Sequence, residues 1–310
     1  MRESRFMAKW TTGSILFAAG SVLPRLAHAA DVKTGPYAWE THFQPAATKV
    51  MADITWFGWY TLSIMTAVVL FVTLLIAYVV WRFRERANPV PSRVSHNTLI
   101  EVLWTIIPVL ILLAIAIPSF RLLYAEYDPT KLYADYNPQT TKFLTVKATG
   151  SQWYWSYSYA TDQDSKDNGV VDAVNFDSLL VPDSELKTDQ LRNLSVDNAM
   201  VVPVGTFVRL QVTGADVIHS FAMPPFGVKV DAVPGRLNET YFRAEREGVF
   251  YGQCSELCGK DHAFMPIVVQ VVSQDQFRHW AGQAATDLPG ANKTLAEAVH
   301  GGSNEKVAVR

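Results

Sequence analysis

Residues Cys254-Ser-Glu256-Leu-Cys258-Gly-Lys-Asp-His262-Ala-Phe-Met265 hold both cysteines of a 310-residue chain, followed by a histidine and a methionine. A further histidine lies upstream, in Asp216-Val-Ile-His219. Soft thiolate and thioether donors combined with imidazole select copper among biological metals. A mononuclear blue-copper site uses two His, one Cys and a weak Met, so one thiolate here is extra. Two thiolates can each bridge two metals, with one terminal imidazole for each. The donor count fits a dicopper thiolate core. Outside the cytoplasm a Cys254–Cys258 disulfide is the first alternative, but it leaves His219, His262 and Met265 without a role. Zinc is the second, and methionine is a poor zinc ligand. Met223 is a rival thioether, although Phe221-Ala-Met-Pro-Pro225 reads as core packing.

Around this stretch the texture is that of a β domain. Short β-rich runs occupy Phe143–Ala148, Trp153–Tyr159, Val201–Val202, Phe207–Val212, Glu239–Arg243 and Pro266–Val272. Turn formers such as Gly150, Pro203, Gly214 and Pro234-Gly235 separate them. Several short strands at such spacing predict an all-β sandwich or barrel over 140–280. That segment carries a net charge of -5. Residues 281–310 are polar and Gly-containing, without a strong period, and are expected to form a flexible tail.

Upstream lie two uncharged runs, Ile54–Trp81 and Val102–Phe120. They run 28 and 19 residues, against the ~20 apolar residues that a spanning helix needs. Trp56, Phe57, Trp59 and Tyr60 stand at one end of the first run and Tyr78 and Trp81 at the other, as in the aromatic belts of the two membrane interfaces. Pro108 is tolerable in a span where neighbours satisfy the freed carbonyl. The spans are placed at 54–81 and 101–123. The loop 82–100 holds Arg82, Arg84, Arg86 and Arg93, which places it in the cytoplasm by the positive-inside rule. Residues 1–29 read as a secretory signal peptide: Arg2, Arg5 and Lys9, an apolar run Gly13–Leu23, then Ala27-His-Ala29. The signal and the loop independently put residues 30–53 and the β domain outside the cytoplasm.

Composition narrows the function classes. The chain is 49% hydrophobic and only 18% charged, below the ~25% of an ordinary soluble domain. A net charge of -2 gives no electrostatic support for nucleic-acid binding. Two cysteines cannot staple a disulfide scaffold. The fold class expected is a membrane-anchored two-helix hairpin with a C-terminal all-β sandwich.

The run Tyr251-Gly-Gln-Cys-Ser-Glu-Leu-Cys-Gly-Lys-Asp-His-Ala-Phe-Met-Pro resembles the CuA site of subunit II of haem–copper cytochrome c oxidases, bacterial type. The likeness extends to Asp216-Val-Ile-His-Ser-Phe, Asp231-Ala-Val-Pro-Gly-Arg-Leu-Asn, Phe176-Asp-Ser, Gln152-Trp-Tyr-Trp-Ser-Tyr and Glu101-Val-Leu-Trp-Thr-Ile-Ile-Pro. It covers about residues 36–280 in order.

The resemblance implies a cupredoxin-like sandwich with His219, Cys254, Cys258, His262 and Met265 as ligands of two copper ions. Glu256 matches the position whose backbone carbonyl completes the set. Its carboxylate matches the one that reaches a magnesium ion shared with subunit I. Trp153 matches the tryptophan at which cytochrome c delivers electrons, and Trp155 reads as core by strand alternation. Glu101 matches the mouth of a proton pathway into subunit I. Asp177, Asp197 and Asp216 match the acidic docking face for cytochrome c. Ser158 departs from that pattern, standing where many relatives have an acidic residue; the aspartate-rich insertion 162–172 could compensate.

The implied protein sits in the bacterial inner membrane with other oxidase subunits, its copper domain periplasmic, and haem is confined to the partner subunit. No Cys-x-x-Cys-His haem attachment motif is present. Rival readings are the electron-accepting subunit of a copper-containing nitric oxide reductase and a copper carrier. Glu101 and Trp153 favour the oxidase over the reductase, and a carrier gains nothing from the second bridging thiolate or from Trp153.

Overall fold

Thr48 opens the ordered architecture. Its hydroxyl accepts from the Met51 amide (3.1 Å) and donates to the Phe226 carbonyl (2.8 Å), capping helix α1 (Lys49–Arg82) and tying it to the β domain. The computed structural model describes residues 35–308, apart from 38, 91, 160–173 and 189. The expected signal peptide and the 162–172 insertion lie outside the described residues.

Helix α1 has 34 residues, or ~51 Å at 1.5 Å per residue, longer than the ~30 Å hydrocarbon core. Its first turn buries Val50 and Met51, whereas the apolar run beyond is exposed. This helix therefore begins earlier than the uncharged run alone suggests. Helix α2 (Thr98–Ala125) contains Pro108 and Pro118. Both helices are long and apolar enough to cross a membrane. Thr61, Ser63, Thr73 and Thr105 satisfy their hydroxyls on carbonyls one turn back, and Tyr60 Oη donates across the hairpin to the Ala114 carbonyl (3.0 Å).

Among the described residues ten strands follow: β1 (Phe143–Ser151), β2 (Tyr154–Tyr159), β3 (Asn175–Ser178), β4 (Met200–Pro203), β5 (Phe207–Gly214), β6 (His219–Met223), β7 (Val228–Ala232), β8 (Asn238–Arg243), β9 (Gly248–Cys254) and β10 (Pro266–Val272). They form two five-stranded sheets in the orders β3-β2-β1-β5-β8 and β4-β10-β9-β6-β7. Pairing is parallel for β1–β5 and β4–β10 and antiparallel elsewhere. Strand β2 alternates as its sequence demands: Trp155, Tyr157 and Tyr159 are buried while Ser156 and Ser158 face outward. Met223 is fully buried in β6.

The sandwich meets the start of α1 and the end of α2. The Ala47 amide donates to the Pro225 carbonyl and the Glu245 amide to the Ala47 carbonyl (both 2.8 Å), and Tyr241 Oη donates to the Ala125 carbonyl. The arginine-rich loop thus lies at the other end of the hairpin.

The flexible tail expected from residue 281 onward is corrected. Helix α3 (Gln274–Ala284) starts on a Ser273–Gln276 capping box, and helix α4 (Leu288–Ala308) folds back beside it. Ala284, Ala291 and Leu295 are buried, and the buried Trp280 donates its indole N–H to Asn292 Oδ1 (2.9 Å). Helix α3 buries Phe277, Trp280, Ala281 and Ala284 at helical spacing, whereas α4 answers mainly with Ala291 and Leu295, so in α4 the hydrophobic period that normally announces a packed helix is faint.

Candidate metal centre

β6 and β9 are hydrogen-bonded neighbours, with Phe221 opposite Cys254. That pairing brings His219, at the start of β6, to Cys254, at the end of β9. The loop after β9 then carries Glu256 and Cys258, a short 3-10 turn carries His262, and Met265 precedes β10. His219, Cys254, Cys258 and Met265 are buried. The ligand atoms of His219, Cys254 and Cys258 all lie within 4.8 Å of one another.

Cys254 Sγ is 3.9 Å from His219 Nδ1 and 3.4 Å from the Glu256 carbonyl oxygen. Cys258 Sγ is 3.5 Å from both His262 Nδ1 and Met265 Sδ. The two sulfurs are 3.9 Å apart, and both cysteines are free thiols. The expected donors, five side chains and one carbonyl, therefore converge, with one imidazole beside each sulfur. A disulfide is absent. Buried thiols in contact with imidazole and thioether fit a soft metal such as copper.

Burial, reinforced by the neighbouring Cys254, pushes the Cys258 thiol up to about 12. At neutral pH this thiol holds its proton, which a bound metal ion would displace, so metal binding would release protons.

Asp216 fixes the imidazole. Burial works against its ionisation, but hydrogen bonds from His219, from the Val217 amide (2.7 Å) and from the Gln152 amide (2.7 Å) outweigh burial and hold its carboxyl below the ordinary range. As an ionised acceptor 2.9 Å from His219 Nε2, it requires that nitrogen to carry the proton. The lone pair is then on Nδ1, the atom facing the Cys254 sulfur. Gly150 lies against the ring: a Cβ there would sit 2.9 Å from His219 Cγ. Trp155, fully buried, meets His219 edge-on at 6.1 Å and donates to the Met265 carbonyl (3.3 Å).

Trp153 is half-buried in the β1–β2 turn, beside Gly259 of the ligand loop. Its indole N–H is buried without a hydrogen-bond partner among the described residues. Asp177, on β3, accepts from Ser156 Oγ (2.6 Å), and Asp197 accepts from the Leu179 (2.8 Å) and Asn198 (2.7 Å) amides. Asp216 and Asp177 thus flank the turn that presents Trp153. Glu256 has an exposed side chain. Glu101 is far from the thiols, in the first turn of α2, where Oε1 accepts from the Asn97 amide (3.3 Å).

Sequence reasoning missed Gln152, whose side-chain amide donates to the Cys258 carbonyl (2.8 Å). It also missed the grip of Asp216 on His219, although the Asp-x-x-His spacing was a legible signal for it.

The chain matches the family model described as cytochrome c oxidase subunit II, periplasmic domain, over residues 144–272. The transmembrane-domain model of the same subunit matches residues 36–122. Among curated proteins, it is 47% identical over 262 residues to a probable cytochrome c oxidase subunit 2 of Rickettsia felis, covering 84% of this chain and 77% of that one. It is 43% identical over 292 residues to cytochrome c oxidase subunit 2 of Cereibacter sphaeroides, covering 92% and 93%. The solved periplasmic domain of subunit II of cytochrome oxidase from Bradyrhizobium japonicum is 60% identical, with a TM-score of 0.40, over 46% of this chain and 92% of that one. The chain therefore belongs to the cytochrome c oxidase subunit II family, as a membrane-anchored subunit of an oxidoreductase complex with a copper-binding periplasmic domain.

Proposed function

We propose that this chain is the subunit through which electrons enter a cytochrome c oxidase of the bacterial inner membrane. Electrons from reduced cytochrome c arrive at Trp153 and leave to haem in subunit I, where oxygen is reduced to water with proton translocation. The observation that carries this reading is the convergence of two free, buried thiols on two imidazoles, a thioether and the Glu256 carbonyl. His219, Cys254, Cys258, His262, Met265 and that carbonyl would hold two coppers, a CuA centre. When bound, such a centre supplies one-electron storage between donor and haem.

Each remaining residue has a distinct task. Asp216 holds the proton on His219 Nε2 and so keeps Nδ1 free to ligate. Trp153 offers an indole surface beside the ligand loop. Its unpaired N–H is unusual for a buried donor and suits a surface completed by a partner. The exposed Glu256 carboxylate is a hard donor, suited to magnesium shared with subunit I while the carbonyl of the same residue serves copper. The test is turnover of the purified complex. It should consume oxygen with reduced cytochrome c as donor; consumption of nitric oxide alone, or turnover only with quinol, would refute the reading.

The acidic docking face is tested most cleanly at Asp177. Asp216 also orients His219, and Asp197 also caps a turn. Asp177 is exposed, and among the described residues its carboxylate bonds only the Ser156 hydroxyl. Asp177→Asn should raise the apparent KM for cytochrome c and flatten its salt dependence, since rim charges act on association and are screened beyond ~10 Å at 0.1 M salt. An unchanged salt profile would remove Asp177 from the docking face.

Glu101 is the proposed mouth of a proton path into subunit I. A helix of 28 residues rises ~42 Å, which separates this end of the hairpin from the sandwich. Glu101→Ala should slow steady-state oxygen reduction and leave copper spectra and cytochrome c affinity unchanged; Glu101→Asp should retain more activity. Because Glu101 also accepts from the Asn97 amide, Glu101→Gln is the sharper variant: it keeps an acceptor and removes the titrating group. Full activity in Glu101→Gln would reduce this residue to a cap on α2.

A further inference from the structure

Between the tryptophan and the thiols lies one residue that touches both halves of the site. Gln152 precedes Trp153 in the β1–β2 turn. Its side-chain Nε2 donates to the Cys258 carbonyl at 2.8 Å, and its backbone amide donates to Asp216 Oδ2 at 2.7 Å. The other oxygen of Asp216 holds His219 Nε2 at 2.9 Å. Gln152 thereby bridges the segment bearing Trp153, the loop bearing Cys258 and the carboxylate that orients His219.

Gly259 shows how closely this contact is packed. Its φ of +123° falls where side chains are rarely accommodated, and a Cβ there would lie 3.0 Å from Gln152 Nε2 and 3.2 Å from the Trp153 ring. The loop after Cys258 can press onto the Gln152–Trp153 turn only because this position has no side chain. Gln152 itself is exposed. It contributes no core packing, so its amide is free to serve orientation alone.

We propose that Gln152 is a positioning residue of the metal centre, clasping the Cys258 backbone and Asp216 so that the Trp153 indole and the ligands keep a fixed relation. This rests on the reading of Trp153 as the point where electrons arrive and of Cys258 as a metal ligand. Residues that orient metal ligands typically change affinity or activity by 10–100-fold when lost. The clasp belongs to that class and adds a link to the donor side.

The test uses the purified, copper-loaded oxidase complex with Gln152→Leu and Gln152→Glu. Both keep the backbone amide; leucine removes the side-chain donor, and an ionised glutamate cannot donate. Both should retain the parental copper content and affinity for cytochrome c. Electron transfer from bound, photoreduced cytochrome c should slow about tenfold, and the copper hyperfine pattern and reduction potential should shift from those of the parent. A role confined to shaping the turn would leave hyperfine pattern and potential unmoved. Parental spectrum, potential and transfer rate in both variants would overturn the clasp. Failure of the underlying reading has a different signature: a parent complex without paired coppers, or a Trp153→Phe complex that transfers electrons at the parental rate.

Discussion

Cys258→Ser should abolish the metal centre while leaving the fold intact. Its sulfur is the hub of the donor set, 3.9 Å from Cys254 Sγ and 3.5 Å from both His262 Nδ1 and Met265 Sδ. Serine is nearly isosteric, so the buried position is filled without a cavity. A hydroxyl, however, is a hard donor that does not ionise at neutral pH and cannot replace a bridging thiolate. Metal analysis of the purified complex should find the copper pair lost, and cytochrome c oxidation should fall by at least about a hundredfold, beyond the 10–100-fold typical of mere orienting residues. Retention of both coppers would show that Cys258 is not a shared ligand.

Trp153→Phe should separate electron transfer from everything else. The indole N–H is buried and unpaired among the described residues, so its removal sacrifices no hydrogen bond to them, and phenylalanine keeps an aromatic ring against the core. Copper content, spectrum and affinity for cytochrome c should stay parental. Electron transfer from bound cytochrome c should slow by at least about tenfold, equivalent to ~1.4 kcal/mol of barrier. Flash-photolysis kinetics on the preformed complex measure this directly. Weaker binding with an unchanged intracomplex rate would make Trp153 a docking contact instead.

The chemistry of this protein was easier to read than its architecture. The candidate copper donors cluster within twelve residues, Cys254 to Met265, and only His219 is remote; donor softness alone points to the metal. The two spans declare themselves through uncharged runs. Strand β6, by contrast, carries His219 yet is buried at every position from His219 to Met223, so it has no alternation of period two to detect. Strand β9 ends in Cys254 and contains Gly252, where a Cβ would lie 2.1 Å from the Ala222 carbonyl oxygen. A glycine that permits close approach of two strands looks, in sequence, like a turn. The strand pair that assembles the donors was therefore invisible, although the donors were not.

Helices α3 and α4 escaped for a different reason. Their contact relies on alanines, Leu295 and the Trp280–Asn292 hydrogen bond, which continues from Asn292 to Asn198 (2.9 Å). The capping box and the apolar period of α3 are local signals, but partners so distant in sequence give no local sign of where the helices pack. Asp216 shows the limit of reading a charge by its sign. It remains a candidate for the docking face, but its carboxylate is also occupied by His219, Gln152 and Val217, a role that requires three segments to meet.

The most direct test of a shared dicopper centre is paramagnetic resonance of the oxidised, purified complex, with copper counted per chain in the same sample. The geometry around Cys254 and Cys258 predicts a copper pair sharing one unpaired electron, seen as more hyperfine lines than a single copper nucleus gives. A mononuclear pattern with one copper per chain, or a Cys254–Cys258 disulfide in the active complex, would contradict it.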